Sequence, residues 1–180
     1  MENTNTNFLS DSIIEKEDSN FCKLFLDGIM DIYWVEKELI DMLPYMKEGA
    51  TSRKLKEIIS AHLQETVGHA SRLEDIFALM NIESNTKKCK AMAALIKEVK
   101  GLLSDTGEDS MVRDSAIIFA AQKIEHYEIS TYGTLYRWAQ LMGRLDIADL
   151  LHKNLDEEKA ADDALANTVE SIIRNQGTKE

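Results

Sequence analysis

Pro44 is the only proline among 180 residues, and the chain holds only eight glycines. Few positions are left where it can reverse sharply, because turns draw on Gly, Pro and Asn. A sandwich or barrel needs such a reversal roughly every 8–12 residues. That scarcity excludes all-β architectures and predicts long helices joined by few loops. The length suits one domain with a sizeable core.

The apolar periodicity agrees. A helical pattern runs from about Asn20 to Glu48, with an irregular turn or kink expected at Pro44. Gly49–Ser52 reads as a turn, and Ser52 is placed to cap a second helix that runs to about Met80. Asn81–Thr86 is a polar break, and a shorter helix follows from Lys87 to about Leu103. The loop 104–110 (SDTGEDS) precedes a third long helix, Met111–Met142. Gly143 stops it, and a fourth long helix covers about Asp146–Arg174. Residues 1–19 read as a flexible arm and 175–180 as a polar tail around one bundle, 20–174. Short connections join long helices one to two and three to four, and a long crossover carrying the extra short helix joins two to three. That is the connectivity of a ferritin-like four-helix bundle, an all-α fold.

Charge narrows the partners. Twenty-one Lys and Arg against 32 Asp and Glu leave a formal −11, which disfavours nucleic acid and anionic membrane surfaces. The sequence has neither a signal-peptide pattern nor an apolar run of membrane-spanning length, so a cytoplasmic location is expected. Cys22 and Cys89 are too far apart for a thiolate metal motif.

The stripes that should face the bundle interior carry acids. The first long helix reads Phe25, Ile29, Ile32, Glu36, Leu39, Leu43, Met46; the third reads Ile118, Ala121, Glu125, Glu128, Tyr132, Leu135, Ala139. The fourth reads Ala148, Leu151, Leu155, Glu158, Asp162, Leu165, and the second Leu55, Ile59, His62, Thr66, His69, Leu73, with Glu65 beside both histidines. Residues three or four apart share a helix face, so these interruptions, all near mid-helix, should meet in one layer. Charged and unpaired, each buried carboxylate would cost on the order of several kcal/mol. No seam Lys or Arg offsets them. A cation would, and carboxylate with imidazole but no thiolate suits iron, with manganese as the alternative. The opposing reading is a set of acids on the flanks, turned to solvent and paired with Lys37, Lys123 or Lys159. Four coincident interruptions favour the metal layer.

Four segments, 31–46 (DIYWVEKELIDMLPYM), 62–77 (HLQETVGHASRLEDIF), 113–135 (RDSAIIFAAQKIEHYEISTYGTL) and 155–165 (LDEEKAADDAL), resemble the YciE/YciF-type ferritin-like stress proteins of bacteria. The resemblance spans about residues 20–170. It implies a ferritin-like bundle, a homodimer and a role in stress responses. The wider ferritin-like di-iron group, which includes rubrerythrins, has a glutamate on helix one, Glu-x-x-His on helices two and four, and one or two glutamates on helix three. Carried onto this chain, Glu36, Glu65, the Glu125/Glu128 pair and Glu158 would be metal ligands, with two iron ions expected. The chain departs from that pattern twice. His69 and Asp162 each follow their glutamate by four residues rather than three, so direct ligation by either stays open. His62 is a ligand, a partner behind a ligand, or a hydrogen-bonded core residue. Tyr132 lies on the seam, where its hydroxyl can support a ligand carboxylate or simply be satisfied within the core.

Three functions compete. The first is a di-iron oxidoreductase, ferroxidase- or peroxidase-like, oxidising Fe(II) with O₂ or peroxide. The second is a non-catalytic structural or interaction bundle with a weak or vestigial metal site. A storage cage ranks last. His126 and His152 lie off the seams and read as surface residues. Trp34 and Trp138, also off the seams, together with the aromatic surplus of the first helix, favour a partner helix from a second subunit.

Overall fold

The structure, a computed structural model, describes residues 20–176 as five helices: α1 Asn20–Gly49, α2 Arg53–Leu79, α3 Lys90–Asp105, α4 Met111–Leu141 and α5 Leu145–Gln176. The arm expected at 1–19 and the end of the tail, 177–180, lie outside the described residues. Among the described residues there is no strand, and no helix is long and apolar enough to cross a membrane.

Helix ends follow local chemistry. Ser52 caps α2, its hydroxyl accepting from the Leu55 N–H. Asn81, with φ 55°, ends the same helix; the Asn81 N–H donates to Ala78 O and the Ile82 N–H to Phe77 O. At the far turn Gly143 takes φ 71°, and the Arg144 N–H reaches back to Ala139 O. Here the left-handed conformation explains the glycine.

Two expectations are corrected. α1 runs through Pro44 without a break, so the irregular turn is absent. α3 begins at Lys90, not Lys87, because 87–89 are committed elsewhere. The Lys87 N–H donates to Met30 O, its ammonium pairs with Asp27 at 2.8 Å, and Cys89 is the N-cap, its sulfur 3.4 Å from the Met92 N–H.

The helices pack as a ring. α1 lies against α2, α2 against α5, α5 against α4 and α4 against α1, while α3 covers α4 and touches α1. This is the ferritin-like bundle with an extra helix in its crossover. The α1–α2 turn is fastened to the start of α4 by Asp114. Its buried carboxylate accepts from the Thr51 and Ser52 N–H groups at 2.6 and 2.8 Å. Between the first part of α1 and the last part of α4 the helices approach so closely that a Cβ on Gly28 would lie 2.8 Å from Leu135 Cδ2. The aromatic surplus of α1 is largely housed within the chain. Phe25 and Tyr33 are buried, Tyr33 rests edge-on against Phe77 and donates to Glu74, and Phe21 meets Trp138.

Candidate metal centre

The apolar stripes converge as the periodicity requires, and their interruptions form a layer across the middle of the ring. Glu36 comes from α1, His62 and His69 from α2, Glu125 and Glu128 from α4, and Glu158 from α5. None of the six is more than 5% exposed. His62 Nε2 is 3.3 Å from Glu125 and 3.8 Å from Glu158. His69 Nδ1 is 2.9 Å from Glu158 and 3.5 Å from Glu36.

Few of these contacts are aligned as hydrogen bonds. Nine side-chain atoms of the six residues are buried without a hydrogen-bond partner: Glu36 Oε2, both nitrogens of His62, His69 Nδ1, Glu125 Oε2, and both oxygens of Glu128 and of Glu158. Buried polar groups are normally satisfied, so a concentration of this kind needs an explanation. The donors fall into two groups, His62/Glu125/Glu128/Glu158 and Glu36/His69/Glu158, each able to bring one atom per residue within 4.8 Å of the others. Glu158 belongs to both. The oxygen and imidazole donors fit iron or manganese, and a carboxylate common to two groups suits a pair of ions.

Electrostatics describe the same layer without metal. Desolvation, and then the charge of Glu158, hold Glu125 and Glu128 well above the usual carboxylate range. Glu36 is also raised, chiefly by burial. Burial works against a charged His69, yet the Glu158 and Glu36 carboxylates outweigh it and push its imidazole up to about 10. Burial would raise Glu158 too, but His69 and His62 bring it below its ordinary value. The metal-free layer is therefore a protonated His69 set against an ionised Glu158, with protons retained on Glu125 and Glu128. Cations that bind there displace those protons.

Tyr132 is fully buried and its hydroxyl donates to Glu36 Oε1. Two other candidates stand outside the layer. The Glu65 side chain is 39% exposed, and its carboxylate lies 3.5 Å from His62 Nδ1. At about 100° per residue it falls roughly 60° off the His62–Thr66–His69 line, so it reaches the rim rather than the interior. The Asp162 side chain is 20% exposed and is held toward α4 by Gln122 and His126, each at 3.2 Å. His126 and His152 are at the surface, His152 stacked on Tyr136.

One supporting group escaped the periodicity argument. Glu157 Oε2 is 2.9 Å from His69 Nε2, and Arg72 grips the Glu157 carboxylate with two bonds of 2.8 Å while also bonding Asn154. The seams hold no Lys or Arg, but Arg72, one turn beyond His69, closes that end of the layer from the flank. Its only sequence signal is the His69-x-x-Arg72 spacing beside an off-seam Glu157. With Glu157 accepting the Nε2 proton, Nδ1 of His69 is the nitrogen turned to the centre.

The comparisons agree with this architecture. The chain is 40% identical over 161 residues to protein YciF of Escherichia coli, covering 85% of this chain and 95% of that one. The crystal structure of the E. coli stress protein YciF superposes with a TM-score of 0.82 at 35% identity, over 87% of this chain and 98% of the other. A ferritin-like, diiron-carboxylate protein from Bacillus anthracis shares the fold, with a TM-score of 0.63 at 14% identity over 84% of this chain and 99% of its own. The model of the family described as "Domain of unknown function (DUF892)" matches residues 20–177, and the chain belongs to that family.

Proposed function

We propose that this protein binds two metal ions, iron in the first place and manganese as the alternative, in the two donor groups that share Glu158. The observation that carries the reading is the set of nine unsatisfied donor atoms, split between groups with one residue in common. A carboxylate-bound iron pair supplies two electrons to an oxidant such as O₂ or peroxide. The chain's own residues set the conditions for that exchange. Tyr132 fixes one oxygen of Glu36, and Glu157 with Arg72 fixes the ring of His69. Apolar side chains above and below, among them Leu39, Leu73 and Leu155, exclude bulk water. Consumption of an oxidant and of free Fe(II) fits a role in stress, the setting named for E. coli YciF.

A second reading has its own support. Without metal, His69 partly neutralises Glu158 and Glu36, so a purely structural bundle can tolerate the layer. Two measurements separate the readings. Metal analysis of protein produced with added iron should give about two ions per chain, a number that rests on the two donor groups. Anaerobic protein loaded with Fe(II) should then consume O₂ or peroxide faster than free Fe(II). Bound metal without faster consumption favours the structural bundle, and no bound metal defeats the metal reading.

A further inference from the structure

The two ends of the acid layer differ in their access to solvent. At the His69 end, Arg72, Glu157 and Asn154 close the gap between α2 and α5 with short charged bonds. At the His62 end the same two helices part around a surface hollow of about 130 Å³. Four alanines line it, Ala61, Ala160, Ala161 and Ala164, with Glu65 and His62 beside them and no lysine or arginine. Such a volume admits an ion with a few of its waters, each taking about 30 Å³. Beneath it lies a void of about 10 Å³ that shares Ile58, His62 and Ala161 with the hollow and touches Glu125.

His62 joins the two spaces. It is only 5% exposed, and neither ring nitrogen has a hydrogen-bond partner. Nδ1 faces the half-exposed Glu65 at 3.5 Å, and Nε2 faces Glu125 and Glu158. An imidazole held this way presents one lone pair or N–H to the outside and the other to the interior. Glu65 offers the first negative charge that a cation in the hollow meets. The carboxylates behind His62 offer more.

We propose that this hollow is the port through which a divalent cation loads the layer, with Glu65 and Nδ1 of His62 as its transient outer ligands. The proposal rests on the two-metal reading and assigns Glu65 a role in transit rather than permanent ligation. The small side chains keep the gap open, and the Arg72–Glu157 closure leaves the opposite end shut.

The test is the rate of anaerobic Fe(II) uptake by the metal-free full chain, followed by competition with a chromogenic Fe(II) chelator. Ions per chain are then counted at equilibrium. Glu65→Gln should slow uptake at least fivefold yet leave the final count at its wild-type value. Ala164→Leu, which fills the hollow, should slow it similarly. Glu108→Gln removes the same charge from a side chain that is 88% exposed and lies outside the hollow, and should change nothing. An unchanged rate in either Glu65→Gln or Ala164→Leu overturns the port. A lower equilibrium count in Glu65→Gln makes Glu65 a resident ligand and overturns its transit role. Wild-type protein that takes up no Fe(II) instead defeats the two-metal reading itself.

Discussion

Glu125 concentrates the cost of the acid layer in one side chain. It is 2% exposed, shares its surroundings with Glu158, and has an oxygen with no partner. Leaving a buried polar group unsatisfied costs about 1–3 kcal/mol, a cost that an apolar side chain of similar volume avoids. Glu125→Leu should therefore raise the melting temperature of metal-free protein by several degrees, at about 2–4 °C per kcal/mol. It should also abolish most of the stabilisation conferred by added Fe(II) or Mn(II), which arises by mass action on the native state. Thermal melts with and without metal read both effects, and a surface glutamate would produce neither. His69 gives a pH signature. Its folded-state pKa, about 10, exceeds its ordinary 6.5. Its contribution is complete below pH 6.5 and is lost as pH rises toward 10. The raised Glu125 and Glu128 act in the same direction from lower pH. Metal-free protein should thus melt progressively lower between pH 6.5 and 10, and His69→Gln should flatten the curve. A flat wild-type profile would mean that His69 is not held by the acids. The seam positions of all six layer residues were legible because burial follows a 3.6-residue period. Glu157 and Arg72 were not, because long side chains reach the layer from beside the stripe. Glu65 was legible as a neighbour of both histidines but not as a rim residue, because its roughly 60° offset from their line sets its 39% exposure.

The helices were read closely where a capping residue marks an end. Ser52 acts through its hydroxyl and Asn81 and Gly143 through a positive φ, roles that residue type alone suggests. The start of α3 was missed by three residues because Lys87 answers to Met30 and Asp27 on another helix, a tertiary contact with no local signal. Asp114 was missed for the same reason. Its two bonds to the α1–α2 turn are charge-assisted, a kind worth about 1.5–3 kcal/mol each. Asp114→Ala should lower stability in urea by about 3 kcal/mol without altering metal content. At the opposite turn, Gly143→Ala should cost about 1–2 kcal/mol, because an L-residue is strained at that positive φ. If urea midpoints leave either variant level with wild type, the corresponding turn is held by something else.

At the scale of the molecule, fold class and connectivity followed from the rarity of turn residues and the length of one crossover. The packing order of the ring did not, since helix contacts depend on which flanks meet. The family match begins at residue 20, where α1 begins. Removing residues 1–19 should leave the melting temperature within about 2 °C and the metal count unchanged. A larger drop would assign the arm a structural role. The ring also divides the layer residues between two hairpins. α1–α2 brings Glu36, His62 and His69; α4–α5 brings Glu125, Glu128 and Glu158. Both donor groups require Glu158, which lies just before the midpoint of the last helix. A chain still emerging from the ribosome therefore has neither group until nearly all of it has been made and the second hairpin has docked on the first. On the proposed two-metal reading, nascent and truncated chains cannot capture iron through this layer, and redox-active metal is kept away from polypeptide that has not yet buried its core.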